Sequence, residues 1–193
     1  SKIKSKYRNI NIYYINPVNT DKQTQSIKDA TGSNGYIDYN FSKATFILNF
    51  NHDLFGRELP RISMLKEYVN AQDRFHRISY SDGLTVSDSK ADAIINSTLL
   101  EQEHTIMYIA KTLSKKYGSS YLTDSIDNLS YDTQFFNVKK AKEIVTKLIK
   151  NRSKSIVSVG EIHSKKVHDI ALFINALLNN LNKTVMLYSF SSS

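Results

Sequence analysis

The chain of 193 residues carries 26 basic and 18 acidic side chains, a net charge of +8, and no cysteine. The missing thiols exclude disulfides, thiolate zinc sites and thiolate-held iron–sulfur clusters within this segment. A hydrophobic share of 40% and a charged share of 23% are ordinary for a globular domain, and no apolar run reaches the roughly 18 residues of a membrane span. Twenty of the cations are Lys, scattered singly and in pairs, and the chain is also rich in Asn, Ile and Tyr. All four residues have AT-rich codons, so genome composition accounts for the charge without a selected partner. The chain opens on Ser1, and its basic start is not followed by the apolar stretch of a signal peptide. It is read as an excerpt of a longer polypeptide.

In chain order, Asn9–Ile15 alternates and then runs apolar, which predicts a first strand stopped by Pro17. Asp21–Ala30 reads as a weak helix, with Gly32 past its end. A polar turn carrying Gly32 and Gly35 then leads into the apolar run Ala44–Leu48, a strand buried on both faces and followed by a polar loop, Asn51-His52-Asp53. Leu59, Ile62, Leu65 and Val69 recur at helical spacing and predict an amphipathic helix starting near Pro60. Arg74–Tyr80 reads as a third strand, and Thr85–Asn96 as a loop ending in a short strand at Ala93–Ile95.

Thr98 and Glu101 have the spacing of a capping box, and Ile106, Ala110, Leu113 and Tyr117 line one face of the helix that follows, stopped by Gly118. The segment 118–137 lacks periodicity and reads as a loop or hinge between a first α/β half, 1–117, and a second, 138–193. Val138, Ala141, Val145 and Leu148 predict a further helix. Ser155–Val159 reads as a strand, Val167, Ile170, Ile174 and Leu177 as the buried stripe of the last helix, and Thr184–Tyr188 as the closing strand. Strands alternating with helices predict an α/β fold, a Rossmann-like parallel sheet with helices on both faces.

Catalytic signatures are sparse. There is no glycine-rich phosphate loop: the strand at 155–159 runs into Gly160-Glu161, an acid where backbone amides would receive a phosphate. No nucleophile elbow occurs. His163 and His168 are five apart, a poor spacing for two metal ligands on one helix face, and no metal site is expected. The carboxylates nearest the strand ends are Asp53, Glu58 and Glu161, with His52 and His163 as possible bases; Asp53 and Glu161 converge if their strands are neighbours. The competing reading makes each a helix-terminus or packing residue. Aromatic residues flanked by Asn and Ile rather than by cations do not suggest nucleic-acid binding. No residue is assigned a catalytic role, and the pocket candidates are Asn51, His52, Asp53, Gly160 and Glu161.

Three stretches carry a family resemblance. In the segment from Asp38 to Gly56, residues Tyr39, Phe41, Ser42, Lys43, Ala44, Phe50, Asp53 and Gly56 fit a pattern of the molybdopterin oxidoreductase-like iron–sulfur subunit of alternative complex III. Nearer the end of the chain, Lys154, Ser155, Val157, Gly160, Ile174, Asn175, Leu178, Asn180, Lys183 and Thr184 fit a second. His76–Asn96 is similar to the stretch between them. The resemblance implies a fragment of the molybdoenzyme-like half of such a subunit: a scaffold with no molybdenum cofactor, iron–sulfur clusters elsewhere in the parent subunit, and other subunits of a membrane-bound quinol-oxidising respiratory complex as partners. It also implies a peripheral position on a bacterial inner membrane, on its periplasmic face. The sequence departs from the pattern at Asn51-His52, at Glu161-Ile162-His163 and at Asn182, and the loop at Asn51-His52-Asp53 then reads as the remnant of a cofactor loop; a segment of an active molybdopterin oxidoreductase and a free-standing α/β small-ligand-binding domain are the alternative readings.

Overall fold

The computed structural model describes residues 21–56, 58, 62–118, 126 and 128–189. The strand expected at Asn9–Ile15 lies outside them. Five helices and six strands follow in order: α1 (Asp21–Thr31), β1 (Gly35–Tyr39), β2 (Phe46–Phe50), α2 (Ile62–Ala71), β3 (His76–Ser81), β4 (Ala93–Asn96), α3 (Leu99–Tyr117), α4 (Val138–Lys150), β5 (Ser155–Val159), α5 (Lys165–Leu177) and β6 (Val185–Ser189). Strands β4-β3-β2-β5, in that spatial order, form a parallel sheet flanked by helices, the expected Rossmann-like α/β arrangement.

Strand β2 is central and every one of its residues is buried. Its alternation sends Phe46, Leu48 and Phe50 into one core with Ile106, Leu113, Leu148 and Ile174 of α3, α4 and α5. Ile47 points the other way, into a second core with Tyr39, Phe41, Tyr68 and Phe75. Burial of each such side chain contributes about 1.5–3 kcal/mol, so a two-faced strand at the centre of the sheet is the most stabilising place for this apolar run. The capping box of α3 forms as expected: the Thr98 side chain accepts from the Glu101 amide, and the Glu101 carboxylate accepts from the Thr98 amide at 2.6 Å. Gly32 ends α1 with φ 78°, and its amide donates to the Lys28 carbonyl at 2.7 Å. Among the described residues, no helix is long and apolar enough to cross a membrane.

Three expectations need correction. The closing strand does not join the parallel sheet: β6 pairs antiparallel with β1 in a separate two-stranded ribbon. Its partner β1 falls where a polar turn was expected, because five residues that begin at Gly35 and include Asp38 carry too little apolar pattern to stand out. The face of α2 is also reversed. Met64, Tyr68 and Ala71 are buried, while Ile62 is 73% and Val69 57% exposed. Tyr68 is drawn inward by a nest of rings, with centroids 4.6 Å from Phe55 and 5.1 Å from both Phe41 and Phe75.

Candidate functional site

In the sheet order, the chain runs from β2 to β3 to β4 in one direction and returns to the other side of β2 as β5. The point of reversal, outside the carboxyl ends of β2 and β5, is where open α/β sheets bind ligands. Both candidate loops arrive there. Parallel pairing sets Phe50 beside Val159, so the next residues, Asn51 and Gly160, are forced into contact. The Gly160 amide donates to the Phe50 carbonyl at 2.9 Å. A Cβ on Gly160 would lie 2.1 Å from the Asn51 carbonyl oxygen, so only glycine allows the two loops to close on each other.

The crevice is occupied by the protein's own side chains. Asn51, His52 and Asp53 are each 7% exposed. A Glu58 carboxylate oxygen accepts from the Glu161 amide at 3.1 Å and lies 3.5 Å from His52 Nε2. Asn51 adopts φ 49° and pairs reciprocally with Asp82: its Nδ2 donates to Asp82 Oδ1 at 2.8 Å, and its Oδ1 accepts from the Asp82 amide at 3.0 Å. Asp53 reaches across to the loop after β3. It accepts from the amide and hydroxyl of Ser87, at 3.3 and 2.9 Å, and ties the two loops together. Glu161 lies outside α5, whose N-cap is Ser164.

Three imidazoles are buried around this point. Burial pushes His52 down to about 3, assisted by the positive fields of His168 and Arg77 and opposed by Asp53. Burial likewise lowers His163 and His168 to about 4 each. All three are neutral at pH 7. Gln102 donates through Nε2 to the Ser97 carbonyl at 3.0 Å, which turns its Oε1 towards His163 at 2.9 Å and makes His163 Nε2 the donor. His52 Nδ1 and His168 Nε2 have no hydrogen-bond partner among the described residues. Among the described residues, no group of three His, Cys, Asp or Glu residues has the arrangement of a metal site.

Anion binding at a strand–helix turn uses free amides. Here the Glu161 amide is taken by a carboxylate, Glu161 itself adds a second negative charge, and the Gly160 turn is closed by backbone. Among the described residues, a cleft of about 170 Å³ lies beyond the ends of β3 and β4, lined by Asp82, Asn96, Ser97, Thr98 and Glu101.

A buried polar ladder escaped the sequence reading. Ser158 Oγ donates to Asn49 Oδ1 and Asn49 Nδ2 donates to Ser79 Oγ, both at 2.9 Å, and Ser79 donates in turn to Asp88. Burial raises the Asp88 pKa, but bonds from Ser79, Thr85 and Ser81 outweigh it and leave the carboxyl below its usual range. Arg77, fully buried on the same face, donates from Nη1 to the Ser87 carbonyl at 2.6 Å. One signal was present: β2, β3 and β5 each place a polar residue fourth, and register aligns all three.

No protein-family model matches the sequence, and no curated protein matches it. Among solved structures, acetylene hydratase from Pelobacter acetylenicus matches with a TM-score of 0.51 at 13% sequence identity, over 86% of this chain and 25% of that one. The chain therefore spans about a quarter of that structure's length, and the likeness is one of α/β fold.

Proposed function

We propose that this chain is a non-catalytic scaffold segment of a molybdoenzyme-like subunit, in which the crevice that would hold a cofactor is filled by protein side chains. The observation that carries the reading is the Glu58 carboxylate seated on the Glu161 amide, with Gly160 packed against Asn51. Asn51, His52, Asp53, Gly160 and Glu161 are then the lining of a vestigial pocket. Support for the molybdoenzyme-like class comes from the motif residues quoted above and from a distant molybdoenzyme-like structural neighbour. The resemblance extends the proposal to a respiratory quinol-oxidising complex of the alternative complex III type, peripheral on the periplasmic face of a bacterial inner membrane. Iron–sulfur clusters would sit elsewhere in the parent subunit, with further subunits as partners.

Metal and pterin analysis of the intact parent protein tests the reading. The expected result is iron without molybdenum, tungsten or releasable pterin. Stoichiometric molybdenum or pterin would instead favour an active molybdopterin oxidoreductase, the second reading, which the same fold likeness supports.

A further inference from the structure

The amino end of the sheet, opposite the crevice, collects cations from four separate parts of the chain. Backbone pairing brings them together: the Thr45 amide donates to the Lys154 carbonyl at 2.7 Å, and the Ser153 amide to the Leu178 carbonyl at 2.8 Å. Ser153, Asn179 and Asn182 all take positive φ, which folds the turns tightly there. Lys183 Nζ donates to Ser153 Oγ at 3.2 Å. Arg152 stacks 4.6 Å above the Tyr117 ring, with Lys116 Nζ 5.6 Å from the same ring. Lys43 precedes Thr45 by two residues, and Lys150 ends α4.

Lys43, Lys116, Lys150, Arg152 and Lys154 are exposed and Lys183 is half-buried. None of the six forms an ion pair among the described residues. Cations in the last turn of a helix offset its macrodipole, which accounts for Lys116 and Lys150. It does not account for Arg152, Lys154 and Lys183, which lie beyond the helix ends, and Lys43 closes only a single 3-10 turn, Phe41–Lys43. Composition explains how many lysines there are but not why tertiary folding concentrates them at one end.

We infer that this basic end is a docking face for a carboxylate-rich protein surface. It deepens the scaffold reading by assigning that scaffold a contact surface. The cations stand on helix ends and hydrogen-bonded turns, a rigid array suited to fixed carboxylates, and the planar Arg152 guanidinium can engage one bidentately. An anionic membrane is less well matched, because Ile62, Leu84, Leu100 and Ile162, four of the most exposed apolar residues, lie on loops and helix starts at the other end of the sheet, and Val69 near the end of α2 is a single apolar side chain at the basic end. For nucleic acid, Tyr117 would have to offer a ring for stacking, and Arg152 covers it.

The test measures anisotropy of a labelled oligoglutamate peptide titrated with the 193-residue chain, beside phosphatidylserine vesicles and duplex DNA. The triple variant Lys43→Glu, Arg152→Glu, Lys154→Glu is expected to bind the peptide at least about tenfold more weakly, and the effect to shrink with salt. The control Lys139→Glu, Lys140→Glu, Lys142→Glu makes the same charge change on exposed positions at the far end of α4 and should keep most of the affinity. Equal losses in the two variants would reduce the effect to net charge and overturn the proposal. So would tighter binding to vesicles or DNA than to the peptide. Should the reversal triple fail to fold, Gln at the same three positions carries the same expectation. Failure here leaves the pterin result untouched, so the two readings fall separately.

Discussion

Asn175 shows how one side chain can finish a sheet. Among the described residues, strand β5 lies at an edge of the sheet, where unpaired backbone groups invite pairing with other chains. The Asn175 amide imitates a neighbouring strand: its Oδ1 accepts from the Val157 amide at 3.1 Å and its Nδ2 donates to the Val157 carbonyl at 2.8 Å. Asn180 extends the arrangement, donating from Nδ2 to Ser155 Oγ and to Asn175 Oδ1, both at 3.0 Å. Replacement of Asn175 by Ala leaves two buried backbone groups without partners, and at about 1–3 kcal/mol each the expected loss is about 2–6 kcal/mol in chemical denaturation. A loss under about 0.5 kcal/mol would mean that water restores both bonds. Asn175 and Asn180 were visible in the sequence as motif positions. Their task was not, since nothing local says which strand will be the edge.

At the scale of elements, α2 is the instructive case. Two stripes share the same spacing, Ile62-Leu65-Val69 and Met64-Tyr68-Ala71, and the more aliphatic one was the natural choice for the core. The second wins because Phe41, Phe55 and Phe75 form a ring-lined socket for Tyr68, and these come from three other segments. Tyr68→Ala is therefore expected to cost about 3–5 kcal/mol, as for other large aromatic truncations in cores. Val69→Ser, on the outward stripe, should stay within about 0.5 kcal/mol. Equilibrium denaturation of the two variants decides between the faces, and the reverse ranking would restore the sequence-based assignment. The outward stripe borders a shallow groove of about 380 Å³.

For the molecule as a whole, the three buried histidines predict sensitivity to acid. Their folded pKa values, about 3 for His52 and about 4 for His163 and His168, lie below the unfolded value of 6.5. Below 6.5 the unfolded chain takes up protons that the folded chain does not, so stability is complete above that pH and declines as pH falls towards the folded values. Each histidine contributes a slope of up to about 1.4 kcal/mol per pH unit in that window. Denaturation midpoints measured from pH 7 down to pH 5 should fall steeply, and His163→Gln should flatten the profile by about one histidine's share. A flat profile in the parent protein would show that the imidazoles find solvent or partners when charged.

Much of this architecture could be read from one dimension. Periodicity located α3, α4 and α5, the capping box marked the start of α3, and the apolar runs at β2 and β5 predicted a parallel sheet, because these features depend on residues a few positions apart. Both candidate loops were also visible, as polar residues following buried strands. What required three dimensions was adjacency. The pairing of β2 with β5 makes Asn51 meet Gly160 and lets Glu58 take the Glu161 amide. The antiparallel ribbon of β1 and β6, the inward turn of Tyr68 and the alignment of Asn49, Ser79 and Ser158 arise from contacts between segments distant in the chain. Local pattern places a residue on an element; long-range packing chooses what stands opposite it, and at this crevice that choice brings the two loops together.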